Sequence, residues 1–151
     1  MQYLWRLFFH FFSSNSRHGT HSPFVYSMAD EVIYAKSQRT NVANKQQLLL
    51  SDIAAYFEVD YVSSPLEIGS DKALIIENGM EDVDQLAILQ KQFRYLVISD
   101  IYKDNGRKLL WESIGRDSRF IVCIDLFYYG LVFYRKEQPK ELFKLRFPYW
   151  R

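Results

Sequence analysis

Ala73-Leu74-Ile75-Ile76, Tyr95-Leu96-Val97-Ile98 and Phe120-Ile121-Val122-Cys123-Ile124 are three apolar runs that follow one another along the second half of the chain. Uninterrupted apolar runs of this length are typical of strands covered on both faces. The two intervals between them, Met80 to Gln92 and Asn105 to about Gly115, have helical spacing. The alternation predicts an α/β fold with parallel strands joined by crossover helices.

The third run continues as Asp125-Leu126-Phe127, and a further strand is predicted from Leu131 to Arg135. Gly130, in the connection Tyr128-Tyr129-Gly130, can adopt positive φ and so permits a tight hairpin. We therefore expect a sheet of about four to five strands, mostly parallel, that ends in an antiparallel hairpin. A charge at Asp125 inside an apolar strand should have a partner or mark the strand end, and we assign it no catalytic role.

Two helices are predicted before the sheet. Ser22-Pro23 is a helix start, because the serine hydroxyl accepts a backbone N–H and proline needs no donor at the first helical position. That helix runs to about Lys36, and a second one spans 45–57. We divide the chain into an N-terminal helical segment, 1–58, and a small α/β domain, 59–151, and expect one folded unit.

The first twelve residues predict a short amphipathic helix, because Leu4, Leu7, Phe8 and Phe11 follow the spacing of one helix face. We expect this apolar face to pack on the domain or on a partner chain. Contact with a membrane surface is the alternative. The run is too short for a membrane span, which needs about 20 residues.

Composition restricts the partners and the compartment. Aromatic residues make up 17% of the chain, and because such residues are enriched at interfaces we expect a homo-oligomer. The formal net charge of +1 offers no general attraction to nucleic acid or to an anionic membrane. The single cysteine, Cys123, fits a reducing compartment, and we predict a cytoplasmic protein.

Two segments resemble the two ends of a bacterial family of class I S-adenosylmethionine-dependent methyltransferase-like proteins: Arg17-His18-Gly19-Thr20-His21-Ser22-Pro23-Phe24-Val25-Tyr26 and Ile124-Asp125-Leu126-Phe127-Tyr128-Tyr129-Gly130-Leu131-Val132-Phe133. The resemblance covers 17–36 and 73–147. It implies a truncated Rossmann-like methyltransferase sheet, since this family also ends in parallel strands followed by a reversed strand.

The middle of the chain departs from the family pattern. Leu66-Glu67-Ile68-Gly69-Ser70 resembles the family's first strand and the opening of its glycine-rich turn, which makes Glu67 and Gly69 the candidates for cofactor binding. The next run, Ala73 to Ile76, already resembles the fourth strand. Since each βαβ unit takes about 30 residues, most of the S-adenosylmethionine-binding half is missing. We therefore expect no cofactor.

Glu77 and Asp100 match positions at which metal-dependent O-methyltransferases of this class carry acidic residues, so they are the candidates for catalysis. Two carboxylates without a third ligand form a poor divalent-cation site, and we interpret them as capping or surface residues. Arg17, His18 and His21 are candidates for an anion or ligand site before the helix that starts at Pro23. We predict no metal.

We expect a non-catalytic, methyltransferase-derived domain that acts through protein contacts as a homo-oligomer. Loss of half the sheet should expose a strand edge and apolar helix faces, which a second copy would cover. The alternative is an S-adenosylmethionine-dependent methyltransferase whose cofactor site is reduced or shared between subunits. In that case S-adenosylmethionine is the cofactor.

Overall fold

The computed structural model describes residues 1–14, 21–35, 44–77 and 82–148. These residues form a mixed α/β fold, as predicted. Its helices are α1 (Gln2–Ser13), α2 (Pro23–Met28), which continues as a π-helical turn (Ala29–Ile33), α3 (Lys45–Phe57), α4 (Val83–Leu89) and α5 (Asn105–Arg116). Its strands are β1 (Asp60–Val62), β2 (Gly69–Ile76), β3 (Phe93–Ser99), β4 (Val122–Asp125), β5 (Tyr129–Phe133) and β6 (Glu141–Lys144).

The strands form one sheet in the order β1-β2-β3-β5-β4-β6, six strands in the described ranges where we expected about four to five. β5 is antiparallel to both neighbours, and the remaining pairings are parallel. The mostly parallel sheet with a C-terminal antiparallel hairpin is therefore confirmed. The hairpin strand β5 enters the sheet between β3 and β4, so those two parallel strands are not neighbours.

Both faces of the sheet are covered, which explains the uninterrupted apolar runs. Tyr95 and Val97 of β3 face a core that includes residues of α2 and α3, such as Met28 and Ile53. The alternate residues of β3 face a second core with α4 and α5: Leu96, Ile98, Leu86, Trp111 and Ile114. The N-terminal helical segment and the strands thus share one core.

The segment before β2 differs from the expected short strand and glycine turn. Leu66 lies in a turn and is 88% exposed, and the strand instead begins at Gly69 and continues to Ile76. Pro65 has no backbone N–H to donate to a sheet, which accounts for the break. The parallel neighbour of β2 on its outer side is β1, which lies earlier in the chain: Asp60–Val62 pairs with Lys72 to Leu74.

The hairpin between β4 and β5 also differs from the prediction. Gly130 lies within β5, and the positive φ of the connection occurs at Phe127, at 69°. A β-carbon at Gly130 would lie 2.6 Å from Cη2 and 2.7 Å from Cε3 of Trp111. Glycine is therefore required here by the close approach of an indole ring, not by a turn.

Candidate functional site

The parallel strands β2, β3 and β4 all end at the carboxyl edge of the sheet, β2 and β3 as neighbours and β4 beyond the reversed strand β5. Open α/β sheets generally bind their ligands at this edge. β2 ends at Ile76, β3 at Ser99 and β4 at Asp125. The next residues along the chain after β2 and β3 are Glu77 and Asp100. This edge is therefore the place at which to look for a functional site.

Asp125 is the centre of a buried polar cluster at this edge. The residue is 3% exposed, and its carboxylate accepts hydrogen bonds from Trp111 Nε1 at 3.2 Å, from the Phe127 N–H at 2.9 Å and from the Tyr102 hydroxyl. His10 Nε2 lies 2.6 Å from Asp125 Oδ1. A carboxylate has about four acceptor positions, so these four groups satisfy it. We call these five residues the Asp125 cluster.

Tyr102 is held in its neutral form in this cluster. Burial, and then the negative charge of Asp125, raise the pKa of the Tyr102 hydroxyl well above its usual range. The phenol therefore keeps its proton and donates it in a hydrogen bond to the carboxylate. A buried charge with this many donors is stable in place and is not poised to react.

Phe127 joins the cluster to a set of packed rings. Its ring centroid lies 5.2 Å from that of Tyr102 and 5.3 Å from that of His10, with Tyr3 at 5.4 Å. A bulky side chain rarely adopts positive φ, so the backbone at Phe127 is strained. The ring contacts and the hydrogen bond from the Phe127 N–H to Asp125 hold it in this conformation.

Helix α1 lies across the carboxyl edge and contacts it through its polar side. His10 reaches Asp125, while the Arg6 guanidinium donates to the Tyr102 carbonyl oxygen at 3.0 Å and to the Asn105 side chain. Lys144 Nζ donates to Ser13 Oγ at 2.6 Å at the other end of the helix.

This arrangement corrects one of the two contacts that we expected of the helix. We expected Leu4, Leu7, Phe8 and Phe11 to pack on the domain or on a partner chain; packing of this face on the domain is wrong, and the partner contact stays a prediction. Leu4 and Phe8 are instead 66% and 53% exposed, and Leu7 and Phe11 are half-buried. The reason is that Arg6 and His10 find charged and polar partners at the sheet edge, which turns the apolar side outward.

The crevice between the ends of β2 and β3 is occupied by Arg107 of α5. Its guanidinium donates to the carbonyl oxygen of Ile76 at 3.0 Å and to that of Ser99, and the residue is 8% exposed. The side chain therefore caps both strand ends. Together, Arg107 and α1 fill much of the edge that would otherwise be open to a ligand.

The two candidates for catalysis, Glu77 and Asp100, lie at this edge and are exposed. Asp100 has a φ of 53°, and its N–H donates to the Tyr128 carbonyl oxygen at 2.7 Å. In the described ranges no three His, Cys, Asp or Glu side chains are grouped so that they could hold a metal ion.

The cofactor candidates are in a different place. Glu67 is exposed in the turn before β2, and Gly69 begins that strand, at the amino edge of the sheet. The structure therefore does not bring them together with Glu77 and Asp100, because the two pairs lie at opposite edges of the sheet. Of the anion candidates, His21 is exposed next to the helix cap Ser22, while Arg17 and His18 lie outside the described residues.

Sequence reasoning missed His10, Tyr102 and Trp111 as parts of the cluster. It did find that Asp125 needs a partner or marks a strand end, and both statements are confirmed. The available signal was the spacing of Arg6 and His10, two polar residues one turn apart in an apolar helix. Their partners lie 96 and 115 residues away, beyond any local pattern.

None of the described helices combines the length and the apolar character that crossing a bilayer requires. Comparison of the chain with protein-family models, with curated proteins and with solved structures found no significant match. The methyltransferase-like resemblance stays a prediction from the quoted residues.

Proposed function

We propose that this chain is a non-catalytic α/β domain, derived from a class I methyltransferase, that works through protein contacts with further copies of itself. The observation that carries the proposal is the orientation of α1. Its polar side closes the carboxyl edge of the sheet through Arg6 and His10, and its aromatic side faces away from the domain. One helix thus covers the usual ligand edge and presents an apolar surface.

The topology supports the methyltransferase origin. Parallel strands β2, β3 and β4 are followed by the reversed strand β5, which is how the family that the chain resembles ends its sheet. The two resembling segments also belong to the same folded unit, because Val25 and Leu131 lie in one core. These features favour a Rossmann-like sheet that has kept its C-terminal half.

Two groups at the carboxyl edge favour a non-catalytic role. The acceptor positions of Asp125 are used by groups of the protein itself, and the cluster is buried away from solvent. Arg107 occupies the space between the ends of β2 and β3. A nucleoside cofactor at this edge would have to displace charged and hydrogen-bonded side chains, which carries a large desolvation cost.

The experiment is a calorimetric titration of the purified chain with S-adenosylmethionine and with its demethylated product. We expect no binding heat at millimolar ligand, and the heat-unfolded chain is the control for heats of dilution. A saturable isotherm would contradict a non-catalytic role. Light scattering in the same buffer should give a particle heavier than the 18.1 kDa chain, and a monomer would contradict the protein-contact role.

A second candidate is an S-adenosylmethionine-dependent methyltransferase with a reduced or shared cofactor site. It is favoured by the position of Glu77 and Asp100, which are exposed at the same edge after neighbouring strands. This candidate predicts binding heat for the wild-type chain, together with a methyl-transfer activity that disappears in a Glu77→Ala, Asp100→Ala double variant. The non-catalytic proposal predicts no heat for either protein.

A further inference from the structure

We propose that the outward side of α1 pairs with the same surface of a second copy of the chain, antiparallel and about a two-fold axis near Phe8. This inference rests on the proposed function and names the partner and the contact. We call the surface the aromatic face of α1; it consists of Leu4, Trp5, Phe8, Phe9 and Phe12.

The aromatic face is exposed along the whole helix. The exposed fractions are 66% for Leu4, 59% for Trp5, 53% for Phe8, 63% for Phe9 and 67% for Phe12. Single exposed apolar residues are ordinary on protein surfaces, but a contiguous set is not. Five large apolar side chains on adjacent turns of one helix therefore need a partner.

The area of this surface fits a contact between two chains. Aromatic side chains present about 150–250 Å² each, so the exposed parts of these residues amount to roughly 600 Å² per chain. That is at the upper end of the largest apolar patch on a typical monomer, about 300–600 Å². Two such surfaces bury roughly 1,200 Å², where stable interfaces begin.

The shape of the helix surface is self-complementary. Leu4, Leu7, Phe8 and Phe11 border an open groove of about 320 Å³, and the rings of Trp5 and Phe9 stand beside it. Helices pack by placing the ridges of one in the grooves of the other. Because one helix carries both a ridge and a groove, the ridge of each copy can pack in the groove of the other about a two-fold axis.

Charges at the two ends of α1 favour the antiparallel arrangement. Lys144 contacts Ser13, and the Arg146 guanidinium lies 4.4 Å from the ring centroid of Phe11, so the C-terminal end is basic. Asp100 lies at the other end, because its N–H donates to the Tyr128 carbonyl oxygen at 2.7 Å and the neighbouring Phe127 ring packs against Tyr3. Antiparallel pairing brings the basic end of one copy towards the Asp100 carboxylate of the other.

The charge pattern also favours a second copy over a lipid surface. Helices that bind membrane interfaces generally carry Lys or Arg on a polar face that stays in contact with water and lipid headgroups. In α1 the basic side chains are Arg6 and His10, and both are turned to the domain. The residues of the aromatic face are all uncharged, and the cations Lys144 and Arg146 lie at its C-terminal end alone.

The first experiment is disulfide trapping with single cysteine variants and diamide as the oxidant. Phe8→Cys should form a covalent dimer, because the two Phe8 positions face each other across the axis. The native Cys123 is buried, and burial raises the pKa of its thiol to about 11, so it gives little background. Leu109→Cys, at a residue of α5 that is 60% exposed, is the matched control and should stay monomeric on a denaturing gel.

The same method tests the direction of pairing. In the antiparallel arrangement Leu4 of one copy lies opposite Phe12 of the other, and the two Leu4 positions are about 12 Å apart along the helices. A mixture of Leu4→Cys and Phe12→Cys chains should therefore form a mixed dimer. Leu4→Cys alone should not, and efficient trapping of that variant by itself would overturn the antiparallel pairing.

The second experiment is light scattering of a Trp5→Glu, Phe9→Glu double variant. The wild-type chain should have twice the mass of 18.1 kDa, and the variant should be a folded monomer whose dissociation constant is raised at least 100-fold. Ile88→Glu and Leu109→Glu place the same charge on α4 and α5, at positions 62% and 60% exposed, and should stay dimeric. Circular dichroism verifies the fold of each variant.

The outcomes separate this inference from the proposed function. A dimer that survives Trp5→Glu, Phe9→Glu overturns the α1 contact but leaves self-association in place. A wild-type monomer at high micromolar concentration overturns both. A monomer that binds phosphatidylcholine–phosphatidylglycerol vesicles, and loses that binding in the double variant, replaces the second copy by a lipid surface and overturns the inference.

Discussion

Asp125 illustrates, at the scale of single residues, how this chain keeps a charge inside an apolar sheet. Its carboxylate is surrounded by the donors of His10, Tyr102 and Trp111 and by the Phe127 N–H. Three of these groups come from different helices or loops. The residue thus ties α1 and α5 to the end of β4, and its role is structural.

Replacing Asp125 by Asn should destabilise the protein by about 3 kcal/mol. The amide group would present two N–H donors to partners that are themselves donors, which leaves buried groups unsatisfied. Urea-induced unfolding at a fixed protein concentration measures the change. The control is Asp100→Asn, an exposed carboxylate after β3 at the same edge of the sheet, which should change stability by less than about 0.5 kcal/mol. Equal effects would contradict the special role of Asp125.

Gly130→Ala should cost about 2 kcal/mol, because the new methyl group would overlap the ring of Trp111 and push the indole away from Asp125. Gly115→Ala is the matched control. Its β-carbon would lie 3.4 Å from Leu142 Cδ2, an ordinary contact, and alanine is favoured over glycine in a helix by about 1 kcal/mol. A stability gain for Ala at both positions, measured by urea unfolding, would show that the Trp111 contact is not restrictive.

At the scale of elements, the boundaries set by local signals were predictable. Helix α3 was expected over 45–57 and spans Lys45–Phe57, and α5 begins at Asn105 as expected. Caps and apolar spacing are encoded within a few residues, so the sequence alone reveals them. Asp125 was identified for the same reason, as a charge in an apolar run.

The position of β5 and the orientation of α1 were not predictable in this way. A hairpin pattern does not say which neighbour β5 will have, and β5 lies between β3 and β4. Apolar periodicity places the apolar side of a helix towards the core. In α1 the long-range partners of Arg6 and His10 decide the orientation instead, and no local pattern contains them.

His10→Ala should release α1 from the sheet. Loss of the contact with Asp125 leaves a buried carboxylate with one donor fewer, at a cost of about 1–3 kcal/mol. Trypsin should then cleave after Arg6 at least about tenfold faster, since a cost of 1.4 kcal/mol corresponds to a factor of ten in the open population. Mass spectrometry of the released peptide measures the rate.

His10→Gln keeps an N–H donor and should restore part of the protection. Gln2→Ala, on the exposed side of the same helix, should leave the cleavage rate unchanged. If His10→Ala is cleaved at the wild-type rate, α1 is held by other contacts and the Asp125 cluster does not set its orientation.

At the scale of the whole molecule, the exposed apolar surface is not at a sheet edge, where loss of half a sheet would be expected to leave it. The outer strands β1 and β6 have three and four residues, and short edge strands offer little template for pairing. Helices cover both faces of the sheet. Among the described residues the exposed apolar area is instead concentrated on α1, so self-association should depend on this helix and not on a sheet edge.

Alkaline pH should unfold the molecule through its buried tyrosines. Burial raises the pKa of both Tyr61 and Tyr129 from 10.0 to about 12, and it raises the pKa of Tyr34 and Tyr95 beyond their usual range. The unfolded chain loses these protons near pH 10 while the folded chain retains them. The stability that Tyr61 and Tyr129 contribute is therefore complete below pH 10 and is lost as the pH rises from 10 to 12, and Tyr34 and Tyr95 extend the loss to higher pH.

We expect the urea midpoint to fall above pH 10, and the tyrosinate absorbance to rise together with the loss of circular dichroism. The chain in concentrated guanidinium is the control, in which all the phenols ionise in one non-cooperative step.

Tyr61→Phe removes one of these phenols and its 2.8 Å hydrogen bond to the Leu50 carbonyl oxygen, so it should lower stability at neutral pH by about 1 kcal/mol. The slope of the free energy of unfolding against pH, measured above pH 10, should also fall by the equivalent of about one proton, because the variant lacks one tyrosine with a raised pKa. Tyrosinate absorbance that rises fully before the fold is lost would show that these rings are open to solvent, which the packing of the α2–α3 side of the sheet does not allow.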